Sequence, residues 1–122
     1  MKRVSAVLFA LAGVVHLLPV AGVASAATLE RLYGVALADP SLVILMRHRA
    51  VLFGIVGALL FGAALRPALR PIAAAAGLVS MLSFVAIAWL EGGASAELAR
   101  VVRVDLVASA LLVTGVFAGR RG

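Results

Sequence analysis

Residues 42–54 read LVILMRHRAVLFG. Arg47, His48 and Arg49 stand inside a run otherwise suited to hydrocarbon. A charged side chain at the centre of a membrane helix costs roughly 2.5–3.5 kcal/mol on insertion scales. How such a stretch is accommodated therefore decides the fold. The rest of the chain answers the first part of the question. Of its 122 residues, 65% are hydrophobic and 13% are charged, and the mean hydropathy is +1.20. A soluble domain of this length needs more polar surface to cover its core, so the composition points to an integral membrane protein.

Charge placement supports that class over nucleic-acid binding, despite a net charge of +6. Lys2, Arg3, Arg66, Arg70, Arg120 and Arg121 lie at the ends of apolar runs with no acid among them. The acids Glu30, Asp39, Glu91, Glu97 and Asp105 lie in or near the other two connections. This is the positive-inside pattern with both termini cytoplasmic, and no nucleic-acid partner is expected. The chain has no cysteine, which removes disulfide, thiol-redox and iron–sulfur chemistry.

Four apolar segments, at about 4–27, 41–65, 72–90 and 101–118, each approach the ~20 residues a helix needs to cross the hydrocarbon core. The expectation is an all-α, four-helix transmembrane bundle, N-in/C-in, forming one domain over 1–122. The connection RPALRP (66–71) makes helices 2 and 3 an antiparallel hairpin. Asp39-Pro40 reads as an N-cap and first-turn proline for helix 2. The segment ATLERLYGVALADP (27–40) fits a short interfacial helix ending near Gly34, with Tyr33 at headgroup level and Trp89 in the same aromatic belt. The N-terminal stretch through Ala24-Ser25-Ala26 has the outline of a secretory signal. Its long apolar run, interrupted by His16, favours retention as a membrane helix.

Helices in lipid associate through small residues. Ala50, Gly54, Ala58 and Gly62 recur every four residues, and at 100° per residue Arg47 lies on the axis of that stripe. The reading places Arg47 inward, Arg49 outward toward headgroups or an oligomer partner, and His48 between them. On helix 4, Asp105 aligns with Ala108, Ser109, Leu112 and Gly115, while Arg103 points away. On helix 3, Ala73, Ala76, Gly77, Ser80 and Phe84 share a face that Glu91 continues. The uncharged stretches Ala50–Leu65 and Leu106–Gly119 cover roughly 24 Å and 21 Å, against a hydrocarbon core of ~30 Å. Asp105 is therefore expected within the outer leaflet, paired with Arg47, with Glu91 and His48 nearby.

The candidate site is thus Arg47, His48, Glu91 and Asp105, serving either as a structural cluster or as a ligand site. His16, near mid-helix, is a possible proton relay or a hydrogen-bonding residue between helices. The two histidines differ in depth, so a shared haem is not expected. No zinc spacing, Walker loop, H-E-x-x-H or G-x-S-x-G occurs. No catalytic residue, metal or cofactor is expected.

The stretch LYGVALADPSLVILMRHRAVLFGIVGALLFGAALRPALRP (32–71), with GLVSMLSFVAIAW (77–89) and VVRVDLVA (101–108), resembles small four-helix bacterial membrane proteins of unknown function. It covers nearly the whole chain. That group is similar in size and hairpin layout to DoxX-like membrane proteins. Some of its sequences carry the label phosphopantetheine adenylyltransferase. The soluble family of that name uses an H-x-G-H-type motif on an α/β fold, and neither feature occurs here, so adenylyl transfer is not expected. The resemblance implies a multi-pass protein of the bacterial inner membrane. The leading expectation is a structural or accessory bundle, as a homo-oligomer or with a larger membrane partner. The alternative is a transporter or a lipid- or small-anion-binding module using the polar cluster, and a membrane-embedded enzyme stands third.

Overall fold

The computed structural model describes residues 1–121. It is all helix, with no strand among the described residues. The long helices are α1 (Lys2–Leu17), α3 (Pro40–Leu65), α4 (Arg70–Glu91) and α5 (Ala96–Arg120), and the short α2 (Ala26–Tyr33) lies between the first two. With the 3₁₀ turns that extend α1 and α4, four helical segments are long and apolar enough to cross a membrane. The protein is a multi-pass helical membrane protein.

Local chemistry sets the boundaries. The α-helical part of α1 stops at Leu17, short of the expected 27, and continues as a 3₁₀ helix over Leu18–Val23. Pro19 is the cause, because it lacks an N–H and its ring crowds the carbonyl four residues back. Ser25 does not end a segment but starts one, its Oγ accepting from Thr28 N at 3.2 Å as the N-cap of α2. α2 ends as expected at Gly34, whose φ of +64° is the left-handed conformation glycine favours. Asp39 Oδ1 accepts from Ser41 N at 2.8 Å ahead of α3, with Pro40 in the first turn. α5 begins at Ala96, five residues before the expected 101. Ser95 Oγ accepts from Leu98 N at 3.1 Å there and donates to Tyr33 O at 2.6 Å. One hydroxyl thus starts α5 and ties it to α2.

Burial runs opposite to that of a soluble protein. Large apolar side chains such as Ile44, Ile55, Ile72 and Val79 face outward, as lipid contact requires. Small residues, among them Ala12, Ala50, Ala63, Ala73, Ala108 and Ala118, fill the interior around Phe9, Leu60, Met81 and Leu112. Backbones approach where side chains are least bulky. A Cβ added at Gly13 would lie 3.3 Å from Gly57 O, and one at Gly57 3.2 Å from Gly13 O. α1 and α3 therefore cross in main-chain contact. Ser5 Oγ donates to Gly115 O at 2.7 Å and ties α1 to α5.

α1 packs on α3 and α5, and α4 also packs on α3 and α5. α1 and α4 are diagonal, as are α3 and α5. The α3–α4 seam is the sparsest of the four, although the short Arg66–Leu69 turn joins those helices. A second apolar cluster of Leu29, Tyr33 and Leu37 closes the α2 end of the bundle. Tyr33, expected at headgroup level, is buried there against residues of α3 and α5. Glu30 Oε1 accepts from Leu37 N at 2.8 Å and holds the connection to α3 against α2.

Candidate functional site

The Arg47-His48-Arg49 triplet divides the opposite way from the stripe reading. Arg47 and His48 are exposed and Arg49 is half-buried. Residues spaced by four drift about 40° per step, so a stripe from Ala50 to Gly62 winds through about 120°. In the bundle, Ala58 is exposed and the buried residues of α3 are Ala50, Gly57, Leu60 and Ala63. That line lies on the Arg49 side of the helix. The proposed outward path of Arg49 to a headgroup or oligomer partner does not apply.

Arg47 has a structural task. Its Nε donates to Val23 O at 2.7 Å. Val23 ends the 3₁₀ helix, and a terminal carbonyl has no partner within its own helix. A cation beside such an end is favourable on both counts. The expected Arg47–Asp105 ion pair does not form. His48 stands exposed beside it, and Glu91, the last residue of α4, is likewise exposed. Neither joins the cluster.

Arg49 instead lies among aromatic rings from three helices. Its guanidinium carbon is 5.3 Å from the ring centre of Tyr33 on α2, 4.5 Å from Phe53 on α3 and 5.2 Å from Phe84 on α4. Arg49 and Phe53 are four apart and share a helix face. Cation–π attraction of this kind contributes about 0.5–2 kcal/mol per ring, the upper values where water is excluded. Arg47 and Arg70 donate to carbonyls. No protein acceptor takes a hydrogen bond from Arg49 among the described residues.

Asp105 does face inward, as its alignment with Ala108, Ser109, Leu112 and Gly115 predicts. It is 7% exposed. Leu98 and Val101, within two turns before it on α5, pack in the cluster of Tyr33, the ring that Arg49 overlies. Ser109 follows on the same face, and its buried Oγ has no partner.

His16 is 2% exposed. Its Nδ1 is 3.0 Å from Ala12 O and its Nε2 is 3.2 Å from Ser80 Oγ. A carbonyl only accepts, so Nδ1 carries the proton, and in the neutral ring Nε2 accepts from the Ser80 hydroxyl. The contact joins α1 to α4 across the diagonal. The imidazole also lies 5.8 Å from the Phe53 ring.

Two cavities meet at Arg49. One of about 250 Å³ opens along the α3–α4 seam between Leu52, Phe53, Ser80, Ser83 and Phe84. The other, of about 410 Å³, lies beneath α2 among Leu29, Tyr33, Leu37, Met46 and Leu98. Arg49, Phe84 and Ile87 border both. No group of three or more histidine, aspartate or glutamate residues converges to hold a metal among the described residues. Of the residues singled out in the sequence, His16 reaches this site through Ser80 and Phe53, Asp105 is buried on α5 but lines neither cavity, and Arg47, His48 and Glu91 stand outside it. Arg49, Tyr33, Phe53, Ser80 and Phe84 complete it. The Arg49–Phe53 spacing was the one available signal for the first of them. Comparison of the chain with protein-family models, with curated proteins and with solved structures finds no match.

Proposed function

We propose that the chain is a small multi-pass protein of the bacterial inner membrane, with both termini in the cytoplasm, that binds a lipophilic small molecule in its outer half. The basic residues at the ends opposite α2 support this orientation under the positive-inside rule. The observation that carries the binding reading is the position of Arg49. It is half-buried where two cavities meet, with aromatic rings around it and its donors untaken by protein groups. An ionisable group inside a membrane bundle marks a ligand or ion path by default. Pockets of roughly 300–1,000 Å³, mostly apolar with a few fixed polar groups, are the usual form of small-molecule sites.

The polar residues of the α2 end then divide by task. Arg47 fastens α3 to the end of the 3₁₀ helix, and His16 links α1 to α4. Arg49 is the ligand-facing group. Native mass spectrometry of the protein released from mild detergent tests the reading. Wild-type protein should carry a lipophilic adduct that Arg49→Gln loses and Arg47→Gln keeps. Equal adduct levels in all three proteins would exclude Arg49 as the binding group.

A further inference from the structure

The end of the bundle opposite α2 holds a further cavity, of about 220 Å³. Pro67, Arg70 and Pro71, from the turn before α4 and its first residues, line one side of it. Val116, Gly119 and Arg120, at the end of α5, line the other. The α5 residues follow an i, i+3, i+4 spacing, which sets them on one helix face. α4 begins here and α5 ends here, so their terminal dipoles oppose one another. The sign of the cavity is left to the two arginines.

Arg70 is half-buried and held by three neighbouring helices. Its Nε donates to Ala63 O of α3 at 3.2 Å. Its guanidinium carbon lies 5.8 Å from the ring centre of Phe9 on α1. Its Nη1 lies against α5, 3.3 Å from where a Cβ on Gly119 would stand. A glycine there leaves room for the guanidinium, whose Nη donors take no protein acceptor among the described residues. Arg120 is exposed. Its guanidinium carbon is 5.8 Å from the ring centre of Phe117, one turn back along α5, which turns the charge toward the body of the bundle.

No acidic side chain lines this cavity. Glu30, Asp39, Glu91 and Glu97 belong to the α2 end, and Asp105 is roughly 22 Å along α5 from Arg120. Two cations bordering one partly desolvated space repel each other, and an anion between them removes that cost. The guanidinium fork matches the paired oxygens of a phosphate. Pro67, Pro71 and Val116 supply an apolar wall, and Ile72, Val113 and Phe117 nearby in the two helices are exposed as lipid contact requires. A phosphate that carries acyl chains uses the arginines and the apolar wall together, whereas free phosphate uses the arginines alone.

We propose that this cavity is a headgroup site for an anionic phospholipid. The phosphodiester sits between Arg70 and Arg120, and the acyl chains run along the furrow between α4 and α5. Basic pockets between membrane helices recognise anionic lipids in this way. A zwitterionic lipid is disfavoured because it brings an ammonium group beside the two arginines. The site is separate from Arg49 and does not depend on it.

The test titrates the full chain in mild detergent with phosphatidylglycerol and with phosphatidylcholine of the same acyl chains. Binding is read by native mass spectrometry, and helix content by circular dichroism. Wild-type protein should hold phosphatidylglycerol about tenfold more tightly. Arg120→Gln, at an exposed position, should lose most of that preference with helix content unchanged, and folded Arg70→Gln should do the same. Arg66→Gln removes an equal charge from the same end but outside the cavity, and should keep the preference within about twofold. Millimolar sodium phosphate should leave the bound phosphatidylglycerol in place. Equal losses in Arg66→Gln and Arg120→Gln overturn the site, because they would show attraction to the basic surface as a whole. No preference in the wild type, or a preference that Arg120→Gln or folded Arg70→Gln retains, overturns it as well. Displacement of phosphatidylglycerol by phosphate overturns the lipid and leaves a site for a soluble anion.

Discussion

α3 makes two seams of opposite character. Against α1 it offers Gly57 to Gly13, and the two main chains touch. Against α4 it offers Phe53 and Arg49 to Ser80 and Phe84, and a cavity remains between them. The turn joining α3 to α4 is short, yet the better packed neighbour is α1, far away in the chain. Membrane helices gain little from burying apolar area, because lipid tails are as apolar as their side chains. Close packing and interhelical hydrogen bonds decide affinity instead. Connectivity brings α3 and α4 together without making them fit.

Substitutions can break that contrast at either seam. The largest effect is expected at Gly57→Leu. Even a Cβ at Gly57 would lie 2.8 Å from Leu17 Cδ2 and 3.2 Å from Gly13 O, so the α1–α3 crossing must open. A loss of about 3 kcal/mol is expected from overpacking of this kind, measured by SDS-induced unfolding followed by circular dichroism. A loss under ~1 kcal/mol would mean that the crossing is not held by main-chain contact. His16→Phe keeps the ring but removes both hydrogen bonds. It should cost about 1.5 kcal/mol, near the upper end for polar contacts between membrane helices. Full stability in that variant would show that the α1–α4 diagonal needs no polar link.

Ser5→Ala removes the donor to Gly115 O and should cost about 0.6 kcal/mol, the average for such bonds. Its small size makes it the calibration for the other two. At the loose seam, Ser83→Leu replaces an exposed residue at the cavity mouth and should leave stability within about 0.5 kcal/mol of wild type. A loss as large as that of Gly57→Leu would erase the difference between the seams.

Much of the helix layout was legible because its causes are local. Asp39-Pro40 and Gly34 announce their caps in two or three residues, and the observed caps match. Ser95 carried the same kind of signal ahead of α5, but the polar sequence after it obscured the first turns. The inward face of α5 was also readable. Asp105, Ala108, Ser109, Leu112 and Gly115 contrast with the larger or charged residues between them, and all five are buried.

α3 is different. Its surface is apolar nearly all round, with no amphipathic face to read. Glycines and alanines occupy several sides of it, so a stripe at spacing four can be drawn where no neighbour exists. The side carrying Ala50, Gly57 and Ala63 is inward because Gly13 on α1, Leu17 beside it and Ala73 on α4 lie opposite. Those partners are distant in sequence. Arg47 and Arg49 exchanged roles for that reason alone.

The sequence by itself determined that the chain is helical, that four segments can cross a membrane, where α2 ends and α3 begins, and that Asp105 faces inward. Hydropathy, span length and capping act within a few residues of one another, so each can be read along the chain. Tertiary structure alone decided which side of α3 is buried, which arginine enters the aromatic cage, and that cavities remain along one seam. Those outcomes depend on how helices fit against partners chosen by close packing, and the fit exists only once all four are assembled.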